Sequence, residues 1–163
     1  MEHDGLTKVH VDLPNHWAVG GESMWARPVG GNAYELDNVP FHAYDLNYLD
    51  VVEAVAQSPE RKPSVVRVLR RSGHRTLRLF FNKATPDSER VPLLASLKTL
   101  GASFEGADER YFALDIEPKG NYEAVRARLD EWASQGILDY ETCEARVPGS
   151  FDDKPSEVVD GAG

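Results

Sequence analysis

VVRVLRRSGHRTLRLFF (residues 65–81) is the stretch on which the fold turns. Two runs of mixed apolar and basic residues flank Ser72-Gly73, a pair suited to a two-residue β-turn because glycine tolerates positive φ. Counting outward from that turn sets Arg71 opposite His74, Val68 opposite Leu77, Arg67 opposite Arg78 and Val66 opposite Leu79. The period of two then puts Val66, Val68, Leu77, Leu79 and Phe81 on a core side and Arg67, Arg71, His74 and Arg78 on the other. Such a hairpin predicts a basic face, and the like-charged pair Arg67–Arg78 predicts an anionic neighbour.

Upstream, short strands are broken by turn residues. Val9–Leu13 alternates and stops at Pro14-Asn15, Ser23–Pro28 leads into the tight turn Gly30-Gly31-Asn32, and Ala33–Leu36 and Val39–Tyr44 flank Asp37-Asn38. Tyr48–Ala56 is long enough for a short helix, but Val51-Val52 favours a strand. Several short strands with regular turns predict a small curled sheet or barrel over residues 1–60.

Downstream of Thr76 the periods change. Val91, Leu94, Leu97 and Leu100 recur at near-helical spacing before Gly101, and Pro92 is expected in the first turn of that helix. Ala102–Glu105 and Arg110–Glu117 read as strands. Asn121 caps a second helix that carries Val125, Leu129 and Trp132 and ends at Gly136, and Ile137–Ala145 is a last strand. The order β-α-β-β-α-β predicts a ferredoxin-like part over residues 61–147, with the hairpin shared between the two halves. The expected class is therefore α+β, with a flexible acidic tail over 148–163.

The net charge of −9 is unevenly spread. Residues 1–60 hold ten acids against Lys8 and Arg27, whereas residues 61–90 hold nine bases against Asp87 and Glu89. The overall sign argues against nucleic acid, and the basic segment is where an anion would dock. The single cysteine, Cys143, excludes an internal disulfide and a multi-cysteine zinc site, and fits a reducing cytoplasm. With Glu141 and Glu144 nearby, it is expected to be structural rather than nucleophilic. No secretion signal, membrane-spanning run, phosphate-binding loop or GxSxG elbow is present, and the histidines lack metal-ligand spacing. No cofactor or metal is expected.

The candidate binding site is a groove between the two parts, lined by Trp25, Asp37, Asn38, Phe41, His42 and Tyr44, with Arg67, Arg71 and Arg78 beside it. Those aromatics also serve as core in a segment otherwise poor in large apolar residues. The leading expectation is a non-enzymatic binding or regulatory module for an anionic or protein partner, with a homodimer through exposed sheet edges as a further expectation. One rival is an acidic immunity or inhibitor protein that blocks a basic partner. Another is a small hydrolase or isomerase using His42 with Asp37 or Glu22. Internal neutralisation of the arginines by Glu22, Asp37 or Glu53 is the plainer alternative.

The blocks ESMWA (22–26), LDNVPFHAY (36–44) and DVVEA (50–54), followed by the basic segment, LGASFEGADERYFALDIEP (100–118) and LDEWASQGILDYETCEARVP (129–148), resemble an uncharacterised bacterial domain-of-unknown-function family. The resemblance covers residues 7–148. It implies a cytosolic bacterial protein and carries no catalytic residues over.

Overall fold

The computed structural model describes residues 5–155. Five strands close a barrel: β1 (Thr7–Asp12), β2 (Gly21–Gly30), β3 (Ala33–Leu36), β4 (Val51–Val55) and β5 (Ser64–Arg70). Each neighbouring pair from β1 to β5 is antiparallel, and β1 meets β5 in a parallel seam at His10 and Ser64. Alternation decides the inside. Val9, Val11, Met24, Ala26, Val52 and Ala54 point inward, and Leu13, Leu36 and Leu46 close the core. Gly30 and Gly31 take positive φ (118° and 55°) in the β2–β3 turn, as the Gly-Gly-Asn signal requires.

The second half is a four-stranded antiparallel sheet. Its members are β6 (Arg75–Phe81), β7 (Ala102–Gly106), β8 (Tyr111–Ile116) and β9 (Leu138–Thr142), in the order β7-β8-β6-β9. Helix α1 (Asp87–Ala95), continued by a 3-10 turn over Ser96–Leu100, lies between β6 and β7; α2 (Tyr122–Ser134) lies between β8 and β9. Leu77, Leu79 and Phe81 pack with Leu94 and Leu97 and with Val125, Leu129 and Trp132 in one cluster, forming the larger core. Asn121 caps α2 by accepting the Ala124 N–H at 3.0 Å, and Gly136 ends that region at φ 74°. The fold is mixed α+β, mostly strand, with a closed barrel first and a second sheet after it. Among the described residues no helix is long and apolar enough to cross a membrane.

The expected hairpin is absent. β5 pairs with β4 and β1, β6 pairs with β8 and β9, and Ser72-Gly73 is the joint between them. Gly73 does take positive φ (91°), but Ser72 is bound to the barrel: its N–H donates to Asp50 Oδ1 at 2.8 Å and its hydroxyl to the Tyr48 carbonyl at 2.6 Å. Each strand satisfies its backbone in its own sheet, so Arg67 never faces Arg78. Val66, assigned to the core side, is instead 53% exposed on the barrel's outer surface. The closed sheet accordingly runs on through β5 to Arg70, and the second sheet begins at Arg75.

Three smaller expectations also change. Val39–Tyr44 is not a strand, because Pro40 lacks an N–H and the next three amides go to a side chain. Pro92 is the sixth residue of α1, not part of its first turn, and the helix gives way to the 3-10 turn soon after it. The 148–163 segment is held at its start: the Phe151 carbonyl accepts from Tyr44 N–H at 2.9 Å, and buried Asp152 accepts from Asn15. Its remainder past residue 155 lies outside the described residues.

Candidate functional site

The connection from β3 to β4, residues 37–50, folds over the face of β6, β8 and β9 that the helices leave uncovered. Glu22 on β2 shapes it. Its carboxylate accepts the N–H groups of Phe41 (2.7 Å), His42 (3.0 Å) and Ala43 (2.9 Å). At the other end, fully buried Asp50 accepts from the N–H groups of Asn47 (2.9 Å) and Ser72 (2.8 Å). Two carboxylates thus do what a neighbouring strand would otherwise do for this backbone.

Arg78 rises from β6 into the carbonyls so presented and is only 1% exposed. Its Nε donates to Glu141 at 2.9 Å, and its Nη1 to the carbonyls of Ala43 (2.7 Å) and Pro40 (3.3 Å). Its Nη2 is buried with no hydrogen-bond partner. Cys143 lies beside it, its Sγ donating to the Ala43 and Leu46 carbonyls at 3.3 and 3.4 Å. Burial pushes that thiol's pKa up, which suits a structural role.

An arc of rings crosses the junction. Trp17, from the β1–β2 connection, is 72% exposed and stacks on His16 at 5.5 Å. His16 is fixed by the Ala18 and Val19 N–H groups, which donate to its Nδ1. It meets His42 edge-on at 5.2 Å, His42 stacks on Tyr111 at 5.8 Å, and Tyr111 tilts against Phe80 at 6.0 Å. The Tyr111 hydroxyl donates to the Phe41 carbonyl. Beneath Trp17 lies a groove of about 390 Å³ walled by Arg78, Phe80, Tyr111, Asp139, Tyr140 and Glu141. Burial holds His42 below the ordinary histidine pKa; the charges of His16 and Arg78 act the same way, and Glu22 opposes them. Its Nδ1 is buried without a partner. Burial also raises the pKa of the Tyr111 hydroxyl, so it stays a donor.

A family model described as a domain of unknown function (DUF4265) matches residues 22–140. The chain belongs to the DUF4265 family. The matched region holds β2, the 37–50 connection and Arg78, Phe80 and Tyr111; Trp17 and Glu141 fall just outside it. The chain is also similar in fold to a hypothetical protein from Neisseria gonorrhoeae, seen in a crystal structure, at 16% identity and a TM-score of 0.72, covering 85% of this chain and 94% of that one. No curated protein matches the chain.

The nine residues expected to form the site separate into three places. Trp25 lies on the outer side of β2 with Lys8 Nζ 4.4 Å from its ring centre. Asp37 and Asn38 are bound to that strand's backbone, through Asp37 N–H to the Trp25 carbonyl (2.8 Å) and Trp25 N–H to Asn38 Oδ1 (2.6 Å). Phe41, His42, Tyr44 and Arg78 do come together at the junction. Tyr44 is buried core whose hydroxyl donates to Glu141 at 2.9 Å, with the Arg78 and Arg146 guanidinium groups over its ring. Arg67 and Arg71 belong to a third place, paired with Glu53 (3.0 Å) and Asp45 (2.9 Å). The three arginines therefore share no single face. Arg67 follows the neutralisation by Glu53 that the sequence offered as an alternative, and Arg78 takes Glu141 rather than Glu22.

Trp17, Phe80, Tyr111, Asp139 and Tyr140 were not among the expected site residues. Phe80 was legible in part, since period two puts it on the same side of β6 as Arg78, opposite Leu79 and Phe81. Trp17 sits in a polar, turn-rich stretch where no buried side is expected, itself a sign of an exposed ring.

Proposed function

We propose that this DUF4265 chain is a non-enzymatic binding or regulatory module that docks a protein partner in the groove beneath Trp17. The observation that carries this reading is the exposed Trp17 ring facing a second exposed aromatic, Phe80 (41%), across a space walled by Tyr111 and Tyr140. Large rings that leave one face to water are the side chains that dominate protein interfaces. The second sheet is read as ferredoxin-like on its strand order and on the two helices sharing one core, which leaves its other face free to hold the 37–50 connection. A cytoplasmic setting fits the buried thiol of Cys143.

The hydrolase or isomerase reading needs His42 hydrogen-bonded to Asp37 or Glu22. The Glu22 oxygens are taken by backbone amides, and Asp37 is bound to β2, so the geometry gives that reading no support. The acidic-inhibitor reading needs the carboxylates of residues 1–60 on one surface, yet Glu22, Asp45, Asp50 and Glu53 are each engaged within the fold.

The test places an aromatic photo-crosslinking residue, which keeps a ring in place of the indole, at position 17 or at position 66, in the native host. Position 66 is also exposed, at 53% against 72% for Trp17, but lies on the outer wall of the barrel. The expected outcome is a discrete protein adduct from position 17 and none from position 66. Adducts from neither position, or equally from both, would overturn the proposal.

A further inference from the structure

Resting on the docking reading above, we infer that the groove takes an extended peptide segment of the partner that presents an arginine or lysine side chain to Asp139, with Trp17 stacked over that cation. An unpaired carboxylate gives the sign. Arg78 is neutralised by Glu141 at 2.9 Å, and Glu141 also lies 3.5 Å from Arg146, so that cluster offers no free anion. Arg110 is committed to its own strand end, its Nε donating to the Phe81 carbonyl and its guanidinium lying over Phe80 at 4.4 Å. Asp139 is the groove's exposed carboxylate without an ion pair among the described residues. A cation placed between an indole face and a carboxylate is favoured by both, and Lys8 on Trp25, Arg75 on Tyr122 and Arg110 on Phe80 show cations seated on aromatic rings within this chain.

A second observation selects a peptide rather than a lone cation. The groove, about 390 Å³, is walled by the rings of Phe80, Tyr111 and Tyr140 as well as by Asp139, more apolar surface than one cationic head group covers. A peptide carries both parts, neighbouring side chains for those rings and a basic side chain for Asp139. The net charge of −9 would speed the encounter with such a partner. A nucleic acid also has rings to stack on Tyr111 and Phe80, but its phosphates would meet the unpaired carboxylate of Asp139.

The experiment selects a randomised ten-residue peptide display library on the full chain. Expected is enrichment of arginine or lysine at one position. A selected peptide should then bind Asp139→Asn and Trp17→Ala about tenfold more weakly, and replacing its basic residue by glutamate should abolish binding. Circular dichroism confirms that both variants fold. Three results would overturn the inference: no basic enrichment, including a library that yields no binders; affinity unchanged in Asp139→Asn; or free arginine amide, or a single-stranded oligonucleotide, binding as tightly as the peptide. If position 17 crosslinks a partner but the library shows no basic preference, the peptide inference fails alone. If position 17 crosslinks nothing, the docking proposal fails with it.

Discussion

β5 and β6 are consecutive, equally long and built from the same mixture of apolar and basic residues, yet Arg67 and Arg78 have opposite fates. On β5, Arg67 reaches solvent, with its side chain 66% exposed, while Val66 and Leu69 also face outward. On β6, Arg78 is buried, and Thr76, Leu77, Leu79 and Phe81 are buried with it. The strands' own pattern does not decide this; the layers around them do. A barrel strand has one covered side. β6 lies between β8 and β9, with helices against one face and the 37–50 connection against the other, so both of its sides are covered. Arginine is tolerated there because the connection turns carbonyls towards it and Glu141 supplies the countercharge.

The sharpest way to break the comparison is Arg78→Met. Methionine fills similar volume but leaves the Pro40 carbonyl without its donor, the Ala43 carbonyl with only the Cys143 thiol, and Glu141 without its closest cation. Removing one partner of a buried ionic network costs about 3–5 kcal/mol, which a urea unfolding series would register as a large drop in midpoint with little change in slope. A loss under about 1 kcal/mol would mean that Arg78 is no more important than a surface arginine.

Next in size is Glu22→Gln. The amide keeps one acceptor oxygen and turns an NH2 towards three backbone donors, so at least one buried N–H loses its partner, at about 2 kcal/mol. Hydrogen exchange at Phe41, His42 and Ala43 should accelerate before that of β6. Unchanged protection there would show that the connection is held by Arg78 alone.

How far these features could be read in advance follows from the same contrast. Local signals served well where the chain answers to itself: the glycine turn at 30–31, the Asn121 cap, the alternation in β1 and the β-branched pair in β4. They failed where partners are distant in sequence. Ser72-Gly73 has the chemistry of a hairpin turn, and nothing within 65–81 shows that Ser72 will be bound to Asp50 and Tyr48. Glu22 reads as a solvated carboxylate until the chain returns with three free amides. The site suffered in the same way. His42, Phe41 and Arg78 were legible as ring and charge, but the groove needs Trp17, Tyr111 and Asp139, which meet only when the barrel's first connection overhangs the second sheet.

A smaller effect is expected from pH. Burial holds His42 below its ordinary pKa near 6.5, so the unfolded chain binds the proton more readily than the folded one. This histidine's contribution is therefore complete above about pH 6.5 and is lost as pH falls towards the lower folded pKa. Wild type should lose stability between about pH 7 and 5 more steeply than His42→Gln, whose amide does not titrate. Parallel curves for the two proteins would place His42 outside the junction's energetics.

The smallest effect carries the most topological information. Arg67→Ala removes an exposed pair with Glu53 and should cost less than about 0.5 kcal/mol, less still at high salt. Were β5 and β6 a hairpin, Arg67 would lie directly opposite Arg78, and its removal would relieve a like-charge contact and stabilise the protein. The two topologies thus predict opposite signs. They also differ in coupling. With the arginines in separate sheets and sharing no partner, Arg67→Ala should cost the same in the Arg78→Met background as alone, within about 0.3–0.5 kcal/mol, whereas cross-strand neighbours would couple beyond that.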